Sequence, residues 1–187
     1  METYFERLHS VYPLSAEGLD LLKPFIAKKH LSKGDFILRK DETCRHIYFV
    51  NKGFARIFYF KNGKEITEWF TPEKNFCFSI SSYFEEKPSH LIIECLEDSE
   101  VIYLSKEGLD RLCKTHIEIS NFFSKLISGA LILSQKRMDS IQFETARQRY
   151  EKLLKNQPYI LQKAPMQYLA SFLGITPETL SRIRTQI

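Results

Sequence analysis

The chain has 187 residues, of which 43% are hydrophobic and 27% are charged. This length accommodates one large domain or two small ones, and the composition is that of a globular protein with a buried core. The four cysteines are widely scattered, no secretory signal stands at the N-terminus, and no apolar run approaches the length of a membrane span. We therefore expect a cytoplasmic protein with free thiols and no membrane partner.

The net charge of +4 is unevenly spread along the sequence. Residues 136–187 hold nine basic and four acidic residues, whereas residues 1–135 hold 18 basic and 19 acidic ones. The positive charge therefore lies in the C-terminal part of the chain, as expected of a segment that binds phosphates.

The sequence carries no pattern of catalytic residues. It has no His-x-His metal motif, its five histidines lie far apart, and its seven glycines form no phosphate-binding cluster. A Ser or Cys nucleophile elbow with a nearby His is also missing. We therefore expect that the chain is not an enzyme and that it carries no metal or cofactor.

The first half of the chain predicts short helices followed by a β-roll. Residues 1–29 are predicted to be helical, with interruptions at Pro13 and Pro24. From Leu31 onward, short strands at a spacing of roughly eight to twelve residues, rich in Phe and Tyr, indicate an antiparallel roll. Asn62-Gly63 is the strongest hairpin signal. The predicted strands are 36–38, 47–50, 54–60, 66–70, 76–80, 90–96 and 100–104.

The second half predicts helices, beginning with a short one at 107–114 and a long one at 117–141. The long helix has a wide apolar side, so that one face can pack on the roll while another meets the same helix of a second copy. A purely intramolecular core is the alternative. The residues predicted for the dimer seam are Phe122, Phe123, Leu126, Ala130 and Leu133.

After a break at 142–145, which we take as the domain boundary, a basic helix is predicted for 146–154 and a short extended connection for 159–163. Residues 167–187 then predict two short helices joined by a sharp turn at Gly174. Thr176 suits the N-cap of the second helix, and Pro177 suits its first position.

The second helix of this pair divides into two faces at 100° per residue. Its apolar residues are Leu180, Ile183 and Ile187, and its polar ones are Glu178, Ser181, Arg182 and Thr185. Arg can read guanine, Glu can accept from the cytosine amino group, and Ser or Thr can bind phosphates or bases. This pattern predicts a helix-turn-helix whose second helix enters the DNA major groove.

Four segments together resemble the Crp/Fnr family of bacterial transcription regulators: KGDFIL at 33–38, IYFVNKG at 47–53, NGK at 62–64 and GITPETLSR at 174–182. The resemblance implies an α+β fold with a jelly-roll-like double-stranded β-roll. It implies a cyclic-nucleotide-binding-like sensor domain at 1–116, a dimerisation helix at 117–141 and a helix-turn-helix domain at 142–187. It further implies a homodimer that binds double-stranded DNA, with a small-molecule effector and RNA polymerase as additional partners.

The resemblance also suggests which residues contact DNA. It places Glu178 and Arg182 at base-reading positions and Thr176 and Thr179 at positions that contact phosphate. We add two more candidates from the helix itself, Ser181 on the polar face and Arg184 at the edge of the buried face, where a phosphate contact suits it better than a base contact. Pro177 stands where some relatives have a base-reading Arg, so we expect a different recognised sequence.

The effector site departs from the family pattern. Members that bind cyclic nucleotides use a Gly-Glu pair and an Arg-Ser or Arg-Thr pair to hold the ribose and the cyclic phosphate. Here Phe78 and Ser79 stand near the first pair, and Ser89 and His90 stand near the second. Without the Arg, burial of a phosphate would cost several kcal/mol. We therefore expect that the chain does not bind cyclic AMP in the family manner.

Two further features of the family are missing from the sequence. Clustered N-terminal cysteines, which hold the iron–sulfur cluster of the oxygen sensors, do not occur before Cys44. Relatives also continue past the reading helix into a β-hairpin wing, whereas this sequence stops at Ile187, so the wing is either absent from the subfamily or truncated. The alternative function is a ligand-binding or signalling module with a degenerate DNA-binding domain.

Overall fold

Eight short strands in the first 105 residues pair into two antiparallel four-stranded sheets. We analysed a computed structural model, which describes residues 1–186. The strands are β1 (Ile26–Leu31), β2 (Phe36–Leu38), β3 (His46–Lys52), β4 (Phe54–Lys61), β5 (Lys64–Pro72), β6 (Asn75–Cys77), β7 (Ile92–Cys95) and β8 (Ser99–Ser105). Their order is β1-β8-β3-β6 in one sheet and β2-β7-β4-β5 in the other. The predicted antiparallel β-roll is confirmed.

The two sheets enclose one hydrophobic core. Phe49 and Ile102 from the first sheet and Ile57 and Ile93 from the second are all buried in it. The longest pairing, β4 with β5, closes on a two-residue turn in which Asn62 and Gly63 have φ values of +51° and +73°. Positive φ at both positions is what a type I′ hairpin turn requires, so the Asn-Gly signal predicted this turn correctly.

Helices precede, interrupt and follow the strands of the roll. They are α1 (Glu2–Val11), α2 (Ala16–Leu22), α3 (Ile80–Glu85), α4 (Lys106–Cys113), α5 (Ile117–Phe143), α6 (Ala146–Asn156), α7 (Pro158–Lys163), α8 (Met166–Leu173) and α9 (Pro177–Thr185), with a 3-10 turn at Lys23–Phe25.

Three local predictions were wrong. Residues 26–29 are not helical, because they belong to β1, the edge strand of the first sheet, which is hydrogen-bonded to β8. Residues 78–80 do not extend β6, because the chain turns into α3 behind Ser79. Residues 159–163 are not extended, since Pro158 occupies the first turn of α7, where a proline suits a helix, instead of separating two elements.

Helix α5 packs on the roll with its N-terminal part only. Ile119, Phe122 and Leu126 are the buried residues of this helix, and they belong to the core of the roll. The predicted dimer-seam residues Phe122 and Leu126 therefore face the chain's own roll, which corrects their assignment. Phe123 is half-buried and lies against Tyr83 and Phe84 of α3.

A different stripe of α5 is open to solvent at three of its five positions. Ile127, Leu131, Ser134, Met138 and Ile141 follow one another at alternating spacings of four and three residues; Leu131, Met138 and Ile141 are exposed, whereas Ile127 and Ser134 are half-buried. This spacing is the heptad pattern that places residues along one seam of a coiled coil. By length and composition α5 is also long and apolar enough to cross a membrane, a property that we did not predict from the sequence.

The C-terminal helices do not stand apart from the roll. Phe54 and Phe70 from β4 and β5 are buried in a second core together with α6, α7, α8 and α9. The ring of Phe70 lies 5.2 Å from that of Phe172 in α8, and the ring of Phe54 lies 5.6 Å from that of Tyr159 in α7. The helix-turn-helix is therefore docked on the β4–β5 hairpin.

Candidate DNA-recognition helix and effector region

The turn between α8 and α9 has the geometry that the sequence predicts. Gly174 ends α8 in the left-handed conformation with φ +70°, and its N–H donates to carbonyls of the last turn of α8. Ile175 N–H donates to the Ala170 carbonyl at 3.0 Å, which completes a Schellman-type end. Thr176 then caps α9 by accepting from Thr179 N–H at 3.3 Å, with Pro177 in the first turn.

A tight core fixes the angle between the two helices. Leu169, Ala170 and Leu173 of α8 and Leu180 of α9 are at most 1% exposed. Ile183 is buried with them, whereas Ile187 lies outside the described residues. The inner face of α9 is thus occupied, which leaves its outer face free.

That outer face presents most of the predicted DNA-contacting residues to solvent. Thr176, Glu178, Ser181 and Arg182 are exposed, and Thr179 is half-buried. The Thr179 hydroxyl accepts from Arg182 Nη2 at 3.3 Å, which holds the guanidinium along the helix. A hydrogen bond from Thr176, with smaller contributions from the Glu178 backbone N–H and Arg182, lowers the pKa of Glu178. At neutral pH this face therefore offers one carboxylate acceptor beside one guanidinium donor.

Arg184 differs from the other candidates because it is half-buried and its Nε atom, within residues 1–186, is buried without a hydrogen-bond partner. Its side chain therefore lies partly along the protein surface.

Two arginines that we did not predict hold α8 and α9 in place. Arg149 of α6 donates to the Leu173 carbonyl from Nε at 3.0 Å and from Nη2 at 2.7 Å, and its Nη1 reaches the Ser140 and Glu144 carbonyls at the end of α5. Arg137 of α5 donates to the Phe172 carbonyl and stacks 4.0 Å from the Phe172 ring. Both cations therefore stabilise the C-terminal end of α8. A basic residue in helical sequence does not reveal whether it faces DNA or another helix end.

The roll contacts α8 through a third arginine. Arg56 is 1% exposed and donates to Glu94 at 2.8 Å and to Glu65 at 2.6 Å. Its guanidinium carbon lies 3.4 Å from the ring centroid of Tyr168. Next to it, Thr67 N–H donates to Ser171 Oγ at 3.1 Å.

The four predicted effector residues do not form one open site. Phe78, Ser79 and Ser89 are buried, whereas His90 is exposed and lies beside Tyr59. Ser89 Oγ donates to Ser79 Oγ at 2.9 Å and accepts from Leu91 N–H at 3.0 Å. The two serine hydroxyls are thus hydrogen-bonded to one another, and no space for a phosphate group is left between them.

The described residues contain no group of three or more His, Cys, Asp or Glu side chains placed to hold a metal ion. The four cysteines are free thiols, three of them buried.

Comparison with known proteins agrees with this architecture. Residues 28–116 match the cyclic nucleotide-binding domain family. The HTH-type transcriptional regulator ArcR of Staphylococcus epidermidis is 25% identical over 190 residues, which cover 89% of this chain and 79% of ArcR.

Solved structures share the fold. FixK2 from Bradyrhizobium japonicum superposes with a TM-score of 0.72 at 17% identity, covering 86% of this chain and 83% of FixK2. A regulator of the Crp/Fnr family from Eubacterium rectale gives 0.72 at 18% identity, with 95% and 87% covered. The Thermus thermophilus catabolite activator protein gives 0.59 at 22% identity, with 96% and 85% covered.

The fold joins a roll that matches the cyclic nucleotide-binding domain family to a helix-turn-helix. In sequence the chain is similar to the transcriptional regulator ArcR, and in fold it is similar to a regulator of the Crp/Fnr family.

Proposed function

We propose that the chain is a cytoplasmic, homodimeric regulator that binds a specific DNA sequence through α9. The observation that carries this proposal is the outer face of α9, where Glu178 and Arg182 are exposed while the inner face is locked by Leu180 and Ile183. Arg182 suits guanine, and Glu178 suits the amino group of cytosine. The threonines at the start of α9 and Arg184 supply contacts to phosphate.

The second copy binds along the exposed heptad stripe of α5. Each protomer has one α9, so two such helices on one DNA duplex require a dimer. Half-sites one helical turn apart fix the distance between the two helices, so the contact between the protomers has to be rigid. The stripe supplies that axis with Ile127, Leu131, Met138 and Ile141, while Ala130 and Leu133 lie on another side of the helix. A partner helix on this stripe also accounts for the apolar character of α5.

DNA fragments selected from the organism's genome with the purified protein give the operator for the test. Arg182→Ala should then weaken operator binding by about 1–3 kcal/mol, roughly 5- to 150-fold, and should leave affinity for unrelated DNA almost unchanged. Arg45→Ala, at an exposed arginine of the roll, is the matched control and should bind like the wild type. Unchanged operator affinity in Arg182→Ala would instead favour the signalling module with a degenerate DNA-binding domain.

We also propose that the roll works without a resident cofactor and does not take cyclic AMP in the family manner. The serine pair at the former phosphate positions supports this, since it offers no guanidinium to a buried phosphate. Saturable tight binding of cyclic AMP in a calorimetric titration would contradict it. RNA polymerase is the further partner that a transcription regulator of this type requires.

A further inference from the structure

A groove of about 660 Å³ runs between the roll, α5 and the helix-turn-helix domain. Its walls are mostly apolar and aromatic, with Trp69, Phe76 and Phe78 from the roll, Leu133 from α5, and Ile160 and Phe172 from the C-terminal helices. Volume and lining fall in the range of small-molecule sites, which are concave, apolar and marked by a few polar groups. A ligand here would touch all three parts of the molecule at once.

The groove and the proposed dimer seam share Ser134 but are centred on different sides of α5. At 100° per residue, the groove-lining positions 125, 126, 129, 130, 132, 133 and 134 are centred roughly 130° around the helix from the stripe formed by 127, 131, 138 and 141. A second copy seated on the heptad stripe therefore meets the groove at its Ser134 edge and leaves the rest of it unfilled. A Cβ on Gly129, which also lines the groove, would meet no atom within 4 Å.

The charged residues of the groove are all basic. Arg7 from α1 and Lys125 from α5 line it, and among the residues that the structure describes no Asp or Glu does. Within residues 1–186, Arg7 Nη1 donates only to the neighbouring Ser10 at 3.0 Å, its Nε atom is buried without a partner, and neither cation lies in a salt bridge. A buried guanidinium N–H without an acceptor favours an anion at this place.

From this charge complementarity we infer that the groove binds an amphipathic monoanion, with an aliphatic or aromatic body between Trp69 and α5 and a carboxylate against Arg7 and Lys125. This inference rests on the proposed function, because it names the effector class that the regulator senses. The serine pair, whose hydroxyls are hydrogen-bonded to one another, offers no cation to the head group, whereas Arg7 and Lys125 do.

Trp69 is the single tryptophan of the chain and lines the groove, so its fluorescence reports on binding directly. Titration of the full chain with decanoate should give a saturable change in emission. Decyltrimethylammonium, which has the same tail and the opposite charge, should give none, and decan-1-ol should bind at least about tenfold more weakly, since hydrogen bonds to charged groups are the strong ones.

Variants keep the test independent of folding and of DNA binding. Lys125→Gln, at an exposed position, and Arg7→Gln should each weaken decanoate binding about tenfold or more, whereas Gly129→Leu should block the groove while retaining the helical circular dichroism.

Equal binding of the cationic amphiphile, or cyclic AMP binding that depends on Lys125, would overturn the proposal. So would decanoate binding that occurs only in a monomeric Leu131→Glu variant, because the second copy would then fill the groove. Loss of operator binding in Arg182→Ala with decanoate binding intact separates this proposal from the DNA-binding one.

Discussion

Arg149 shows how one side chain can set the position of the whole helix-turn-helix. Its guanidinium donates to carbonyls at the ends of both α5 and α8, where the last carbonyls of a helix have no partner within the helix. Hydrogen bonds from a charged donor contribute more to the stability of the folded state than hydrogen bonds between neutral groups do. The orientation of α9 therefore depends on a residue that lies 33 positions before Arg182 in the sequence.

Substitution of Arg149 by Ala should lower the free energy of unfolding by about 2–3 kcal/mol, because several buried carbonyls lose a charged donor. Operator affinity should fall as well, since the end of α8 is no longer fixed. Denaturant unfolding and DNA titration measure the two effects. Arg147→Ala on the same helix is the control, because Arg147 is exposed and pairs only with Glu151; its effect should stay below about 0.5 kcal/mol.

The thiols should differ in reactivity. Burial raises the pKa of Cys77 to about 12 and that of Cys95 to about 11, and it also raises the pKa of Cys44. At pH 8 these three buried thiols are almost entirely protonated, and the thiolate is the reactive form. Burial also raises the pKa of Cys113, but this thiol is only half-buried. A colorimetric thiol reagent should therefore reach Cys113 first in the native protein, and all four thiols after unfolding. Rapid loss of more than one thiol at pH 8 would contradict this.

Among the secondary-structure elements, α5 has the most varied role, because its faces serve different neighbours along its length. One face packs on the roll as far as Leu126, the same side then lines the groove, and Leu131, Met138 and Ile141 of the heptad stripe stay exposed. The sequence shows only that apolar residues surround more than half of this helix. Three-dimensional packing assigns each of them to a neighbour.

Replacement of Leu131 by Glu should dissociate the dimer, because two carboxylates would then face one another in the apolar seam. Sedimentation or light scattering at micromolar concentration should show a monomer, and operator binding should fall with it. Lys136→Glu reverses a charge at an exposed position on another side of α5 and should leave the dimer intact. A Leu131→Glu variant that remains dimeric would show that another surface holds the protomers together.

At the scale of the whole molecule, the roll and the helix-turn-helix share a core and a buried cation. Arg56 pairs with two carboxylates of the roll and stacks on Tyr168 of α8, so its guanidinium links the roll to α8. A bound ligand in the neighbouring groove would act on the same interface, through Phe70 and Phe172. This gives the roll a direct contact with the element that carries the reading helix.

Removal of the Tyr168 ring should loosen this contact. In Tyr168→Leu, hydrogen exchange should speed up in β5 and in α8, and the free energy of unfolding should fall by about 1–2 kcal/mol from lost aromatic and cation–π contacts. Phe60→Leu on the same hairpin is the control, since Phe60 is 53% exposed and should change neither quantity. Unchanged exchange in β5 of the Tyr168 variant would show that the two domains are not coupled there.

The sequence alone determined the elements that depend on local chemistry. Asn62-Gly63 predicted its turn because few residues adopt positive φ, and Gly174, Thr176 and Pro177 predicted the joint between α8 and α9 because each satisfies a helix end. Periodicity separated the two faces of α9 correctly, because the spacing of apolar residues along a helix is also a local property of the sequence.

Only the tertiary structure decided which neighbour each ambiguous surface meets. Phe122 and Leu126 proved to belong to the roll, and Arg149 to the helix ends, because apolar or basic residues on a helix look alike in sequence whatever they contact. Strand β1 was missed for a related reason, because pairing with β8 overrode a weak local preference. Helix α7 was missed because Pro158 was taken to end a helix, whereas it begins one.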